Sequence, residues 1–147
     1  MSKFIRIISV LVAVAILVAV GSSLVSAQAP QQLQARLSGS AINGETPGGQ
    51  AEWSQSHSGI QRISIEVEDV NLPNGTVLSV SACGADIGSI TLADGSGELE
   101  LNSQNGATVP TCAAGDPVTV ANGGTTILTG TLQAKGESEK GQEQGDD

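Results

Sequence analysis

The stretch ISIEVE at residues 63–68 decides the fold class, because apolar β-branched residues alternate strictly with polar ones. An extended chain sends successive side chains to opposite faces, so the two isoleucines and the valine share one face. The serine and the two glutamates share the other. This pattern is typical of a strand in an antiparallel sheet with one buried face and one face in solvent.

The same two-residue period recurs between residues 33 and 132, and no window of ten or more residues after the N-terminal segment shows a helical period. Asn-Gly, Pro-Asn-Gly, Asp-Gly and Gly-Gly turn signals at 43–44, 73–75, 94–95, 105–106 and 123–124 separate the candidate strands. Short strands at this spacing predict an all-β fold, a single antiparallel Greek-key β-sandwich of about seven or eight strands over residues 33–132. The remaining predicted strands are Leu33–Ser38, Gln50–Ser56, Thr76–Ala82, Ile87–Leu92, Gly97–Leu101, Val118–Val120 and Thr126–Leu132.

Two parts of the chain repeat each other. Residues 72–92 (LPNGTVLSVSACGADIGSITL) align without a gap with residues 112–132 (CAAGDPVTVANGGTTILTGTL) at an offset of 40. Each reads as a turn, a strand, a tight glycine turn and a second strand. We expect two β-hairpins of one design within the sandwich; chance likeness between hairpins is the alternative.

The N-terminal 27 residues have the three-part pattern of a secretion signal. Lys3 and Arg6 precede an apolar run over 7–20, and Val25-Ser26-Ala27 places small residues at a cleavage position. We expect cleavage after Ala27. A retained anchor is the alternative, since the segment is long enough to cross a bilayer.

The ends of the remaining chain are polar. Residues 28–32 predict a loose lead-in, and residues 133–147 hold no large apolar side chain, which predicts a disordered acidic tail. After removal of residues 1–27, four basic residues face fifteen acids, a net charge of −11. This charge disfavours nucleic acid and stable contact with anionic membranes.

Few side chains suit chemistry or ligand stacking. Trp53 is the one aromatic residue after the signal segment, so it is expected in the core, with a surface anchor as the alternative. His57 lies in Ser56-His57-Ser58-Gly59, which we interpret as a solvated turn rather than a Ser-His catalytic pair. We predict no catalytic residue, no cofactor and no enzymatic activity.

Two cysteines, Cys83 and Cys112, are expected to form a structural disulfide in an exported chain, with two buried thiols as the alternative. Calcium requires six to eight oxygen ligands. The weak candidates for such a site come from an acidic turn and an acidic strand, and a solvated sheet face is the favoured explanation for them: Asp94, Glu98, Glu66 and Glu68.

Several stretches resemble a known kind of domain: AINGETPGGQAEW at 41–53, VEDVNLPNGTVL at 67–78, and shorter matches at 88–92, 97–101, 109–110, 114–116 and 127–130. Together they resemble an uncharacterised secreted bacterial β-domain that occurs behind signal peptides or at the end of longer exported chains. The resemblance covers about residues 35–132. It implies an extracytoplasmic setting and no known activity, so it transfers no site residue.

ARLSGSAING at 35–44, the later hairpins and the cysteine pair are also similar to Cu/Zn superoxide dismutase-like sandwiches. That family binds its metals through several histidines, whereas only His57 is present here. The resemblance therefore concerns architecture alone, and the topology is expected to be immunoglobulin-like or superoxide-dismutase-like.

These observations predict an exported, non-enzymatic structural, adhesion or interaction module in the periplasm, on the cell surface or outside the cell. The expected partner is a protein or another envelope component. Self-association through exposed sheet edges, notably Thr126–Leu132, is a further expectation. The first alternative function is weak calcium or cation binding, and the second, less favoured one is an enzyme whose site the sequence does not reveal.

Overall fold

A computed structural model describes residues 29–135, and these residues form an all-β fold of antiparallel strands. The predicted fold class is therefore confirmed. One short 3₁₀ helix, Ser103–Asn105, lies between two of the strands. The strands are β1 (Gln31–Ser38), β2 (Gly48–Gln55), β3 (Gln61–Glu68), β4 (Val77–Ala82), β5 (Ala85–Thr91), β6 (Gly97–Asn102), β7 (Pro117–Asn122), β8 (Thr125–Thr131) and β9 (Gln133–Ala134).

The hydrophobic core follows from the alternation along the strands. In β3 the three apolar residues Ile63, Ile65 and Val67 are buried, and the polar residues between them face outward. β1 and β2 continue the pattern, and the β1–β2–β3 ladder runs in register without interruption. Aliphatic residues fill most of the space between the two layers, and Trp53 is fully buried among them.

The strand order explains how the layers form. Hydrogen-bonded neighbours follow the order β5-β4-β7-β8-β1-β2-β3-β6, and β9 adds to β1. The chain therefore builds one half from β1, β2, β3 and β6 and the other from β4, β5, β7 and β8. A single residue pair, Ser38 with Thr129, joins β1 to β8. At the opposite side β5 and β6 approach each other, which makes the sandwich nearly barrel-shaped.

Glycines let the two halves come close at both seams. A methyl group at Gly39 would lie 1.7 Å from the carbonyl oxygen of Ile127 in β8. At the other seam, a methyl group at Gly97 in β6 would lie 2.4 Å from Cγ2 of Ile90 in β5. Such distances are far below van der Waals contact, so any side chain here would push the strands apart.

The predicted internal repeat is confirmed in three dimensions. β4 and β7 begin and end 40 residues apart, and so do β5 and β8. Each hairpin has a register shift at the same place, after Val80 in one and after Val120 in the other. These two valines also pair with each other across β4 and β7. The two hairpins are therefore related by a pseudo-two-fold axis that passes between Val80 and Val120.

The predicted disulfide between Cys83 and Cys112 is present, with 5.3 Å between the Cα atoms. It ties the β4–β5 turn to the long connection between β6 and β7. The buried Trp53 also holds this connection, because its indole Nε1 donates a hydrogen bond of 3.0 Å to the carbonyl oxygen of Pro110. Val109, beside it, is buried as well. The connection therefore packs as part of the core.

Several details differ from the sequence-based expectations. Residues 31–32 of the lead-in belong to β1, because they pair with Gln55 and Ser54 of β2. Residues 133–134 of the expected tail form β9, because they pair with Gln34 and Leu33 of β1. The expected edge strand at Thr126–Leu132 is wrong, since β8 lies between β7 and β1. The 105–106 turn signal ends the 3₁₀ helix, with Gly106 at a φ of 84°. The signal segment, its cleavage position at Ala27, and residues 136–147 lie outside the described residues.

Candidate functional site

The two outer faces of the sandwich differ in charge. Alternation along β1, β2, β3 and β6 exposes a set of ionisable side chains on one face, which we call the charged face. Its charged residues are Arg36, Glu52, Arg62, Glu66, Glu68, Glu98 and Glu100. The exposed Lys135, directly after β9, lies beside this face because its ammonium contacts Glu52.

The opposite outer face carries hydroxyl groups in place of charges. Its outward residues on β4, β5, β7 and β8 are mostly serine and threonine, and Asp86 is the one ionisable residue in these four strands. Ser81 donates a hydrogen bond to the Asp86 carboxylate. The hydroxyl face consists of Ser79, Ser81, Ser89, Thr91, Thr119, Thr129 and Thr131.

Two glutamates meet at the centre of the charged face. Glu66 on β3 is directly opposite Glu98 on β6 in the antiparallel ladder. Like charges in this arrangement are destabilising. Each carboxylate accepts one hydrogen bond from a neutral neighbour: Gln50 Nε2 donates to Glu66 at 3.1 Å, and Ser64 Oγ donates to Glu98 at 3.1 Å. Neither bond supplies a positive charge, and neither carboxylate forms an ion pair within residues 29–135.

Ion pairs on this face are at its margins. Arg62 Nε lies 3.8 Å from Glu100 Oε1, and Lys135 Nζ lies 3.8 Å from Glu52 Oε1. All four side chains are more than half exposed, and such pairs contribute little to stability. The exposed Arg36 makes no ion pair within residues 29–135.

Two shallow grooves lie on the charged face along β2. The first, of about 480 Å³, lies between Arg36 on β1 and Glu66 and Glu68 on β3, where Gly48 has no side chain to fill it. The second, of about 610 Å³, continues over β1, β2 and β9 and shares Arg36 and Gln50 with the first. The face is therefore a continuous polar surface with grooves.

The calcium candidates do not converge. Glu66 and Glu98 are neighbours and Glu68 lies further along β3, but Asp94 lies in a separate turn, where its backbone N–H donates to Asn74 Oδ1 at 2.7 Å. Within residues 29–135, no three His, Cys, Asp or Glu side chains are close enough to hold a metal ion together. A cation at this face would therefore contact the Glu66–Glu98 pair and solvent.

His57 lies in an exposed turn, as expected. The Ser56 hydroxyl is in contact with the Ser58 hydroxyl at 2.8 Å and accepts a hydrogen bond from the backbone N–H of Ile60 at 3.1 Å. His57 has no hydrogen-bond partner in the described part of the chain. The serine and the histidine are therefore not arranged as a nucleophile and its base.

Sequence reasoning missed Arg36, Glu52 and Glu100 as members of the same face as Glu66. The period of two in β1, β2 and β6 already places each of them on an outward side. Finding that the outward sides form one surface also requires the strand order, which periodicity does not contain.

Comparisons of the chain with protein-family models and with curated proteins found no match. Within the described residues there is no helix long and apolar enough to cross a membrane.

Proposed function

We propose that the protein is an exported, non-enzymatic interaction module whose charged face binds a basic surface on a protein or other component of the cell envelope or extracellular space. The observation that carries this proposal is the Glu66–Glu98 pair. A cationic group from a partner would lie between two carboxylates that repel each other in the free protein. Binding would relieve that repulsion and add charge-assisted contacts.

The overall charge supports a cationic partner. Residues 29–135 contain ten acidic and three basic side chains, and five of the acids are on the charged face. A surface with one dominant sign of charge accelerates association with a partner of the opposite sign and repels partners of like sign. The hydroxyl face has no dominant sign of charge, so a cationic partner would bind to the charged face and not to the hydroxyl face.

An extracytoplasmic setting fits the features of the domain. Disulfides persist in oxidising compartments, and Cys83–Cys112 is a structural bridge between two parts of one domain. The N-terminal signal pattern is the sequence feature that supports export. The absence of a catalytic role is part of the proposal, and His57 lies exposed in a turn.

The test is capture from the native cell envelope on the immobilised mature protein. The wild type is compared with the Glu66→Gln/Glu98→Gln variant and with a control of equal charge change, Glu45→Gln/Asp69→Asn, in exposed loops. We expect a partner that elutes with salt, is lost with the face variant and is retained by the control. Equal capture by all three proteins would contradict the assignment of the face.

Calcium or another small cation is the second candidate, favoured by the same two facing carboxylates. A ligand that binds the folded state raises its melting temperature. A melting temperature that rises with millimolar calcium and returns with chelator in the wild type, but not in the Glu66→Gln/Glu98→Gln variant, would favour this candidate. No shift would remove it.

A further inference from the structure

The sequence contains Asn-Gly four times, at 43–44, 74–75, 105–106 and 122–123. This dipeptide can modify itself. The backbone nitrogen of the glycine attacks the side-chain carbonyl carbon of the asparagine and forms a new C–N bond. The bond from that carbon to the side-chain amide nitrogen breaks, and this nitrogen leaves as ammonia. Water then opens the cyclic imide to aspartate or isoaspartate. The reaction needs only water as co-reactant, and glycine permits it because no side chain blocks the attack.

Two groups must be free for the ring to close: the side-chain amide of the asparagine and the backbone N–H of the glycine. A hydrogen bond to either group has to break first. The need to break one hydrogen bond of typical net strength slows ring closure by a factor of about two to ten. The four sites differ in which of these groups is held.

Asn74 is held at both groups. Its Oδ1 accepts from the Asp94 N–H at 2.7 Å, its Nδ2 donates to Asp94 Oδ1 at 3.4 Å, and the Gly75 N–H donates to the Leu92 carbonyl oxygen at 2.8 Å. Ring closure here requires all three bonds to open. We therefore expect Asn74 to be the most protected of the four.

Two sites are held at one group each. At Asn43 the side chain is bound, because Nδ2 donates to the carbonyl oxygen of Asn71 at 3.0 Å, and the Gly44 N–H has no partner among the described residues. At Asn105 the arrangement is reversed. The side chain has no partner within residues 29–135, and the Gly106 N–H donates to the Ser103 carbonyl oxygen at 3.2 Å.

At Asn122 neither group is held. This residue ends β7, and Gly123 and Gly124 form the turn into β8 with φ values of 56° and 86°. Within the described residues, neither the Asn122 side chain nor the Gly123 N–H has a hydrogen-bond partner. The turn is exposed, so water reaches the imide.

We propose that Asn122-Gly123 is a self-modification site of the folded protein, at which loss of ammonia produces aspartate or isoaspartate. The product places a new carboxylate at the tip of the β7–β8 hairpin. This hairpin belongs to the half of the sandwich in whose strands Asp86 is otherwise the one ionisable residue. Isoaspartate also lengthens the backbone where Asn122 pairs with Thr125, which weakens the end of this hairpin. This inference does not depend on the proposed partner of the charged face.

The experiment incubates the mature, disulfide-intact protein at mildly alkaline pH and follows each site by peptide mapping and mass spectrometry. In the folded state we expect Asn122 to react first, Asn43 and Asn105 next, and Asn74 at least about tenfold more slowly than Asn122. In the reduced protein in concentrated urea, the four sites should react at similar rates, because the protecting bonds are absent.

Two variants serve as matched controls. Asn122→Gln should remove most of the early ammonia release, because the longer side chain disfavours ring closure, whereas Asn105→Gln should leave it nearly unchanged. If Asn74 reacted as fast as Asn122 in the folded protein, or if Asn122 were unmodified when Asn43 and Asn105 had reacted, the proposal would be wrong.

Discussion

Replacing both Cys83 and Cys112 with alanine is expected to lower the free energy of unfolding by about 3–4 kcal/mol. The cysteines are 29 residues apart, and the loop that they close contains β5 and β6. Without the bridge, the unfolded chain gains the conformational freedom of that loop, whereas the folded chain retains its strand ladders. For a domain of this size, the loss corresponds to a decrease in melting temperature of about 10–20 °C.

Trp53 provides the assay. It is the one tryptophan of the chain, no tyrosine is present, and its indole bonds directly to the connection that carries Cys112. Urea unfolding followed by tryptophan fluorescence and by far-ultraviolet circular dichroism should give coincident transitions at a lower midpoint in the double variant. Wild type in reductant is the control and should match the variant.

If the free energy of unfolding of the double variant fell by less than about 1 kcal/mol and its Trp53 fluorescence remained native, this reasoning would be refuted. It would mean that strand pairing and the Trp53–Pro110 hydrogen bond hold the connection without the bridge. A loss far above 5 kcal/mol would also contradict it, since the entropic effect of one loop does not reach that value.

Three further outcomes follow from particular contacts. Gly39→Ala should cost about 1–3 kcal/mol or more in thermal unfolding, because its methyl group overlaps the Ile127 carbonyl, and an unchanged melting temperature would contradict close contact at this seam. Glu98→Gln should stabilise the domain by about 0.2–1 kcal/mol by removing a like-charge pair, and added salt should raise the melting temperature of the wild type more than that of the variant. Trp53→Phe should cost about 1–3 kcal/mol in urea unfolding, because the partly buried Pro110 carbonyl loses its donor, and a neutral effect would contradict that hydrogen bond.

The strands themselves could be predicted from the sequence because the period of two is a local property. β3 was expected at Ile63–Glu68 and is found at Gln61–Glu68, and β6 was expected at Gly97–Leu101 and is found at Gly97–Asn102. Only the two-residue β9 was missed. Its residues, Gln133 and Ala134, have no alternation to recognise, and their structure comes from pairing with β1.

The arrangement of the strands could not be predicted in the same way. Alternation in β8 fixes which side chains face the core, but it does not identify the strands on either side. The expectation of an open edge at Thr126–Leu132 failed for this reason: β1 covers that edge at Ser38, and the close approach depends on Gly39 and Gly130, whose role in packing is invisible in the sequence.

The candidate site was only partly predictable for the same reason. The sequence identified Glu66 and Glu68 as an acidic stripe and named Glu98 as a possible neighbour. The cross-strand pairing of Glu66 with Glu98 required the β3–β6 ladder, which joins strands separated by two intervening ones in the chain. Asp94 was grouped with them because of its short sequence distance to Glu98, but its turn is bound to Asn74 instead.

The most direct test of binding by the charged face is a nuclear magnetic resonance titration of the labelled mature protein with a lysine-rich peptide. We predict chemical shift changes at outward residues of β2, β3 and β6, centred on Glu66 and Glu98, that disappear at about 1 M salt, where the Debye length is about 3 Å. The hydroxyl face should not respond. Changes centred on the hydroxyl face, or changes that persist unaltered in the Glu66→Gln/Glu98→Gln variant, would contradict the proposal.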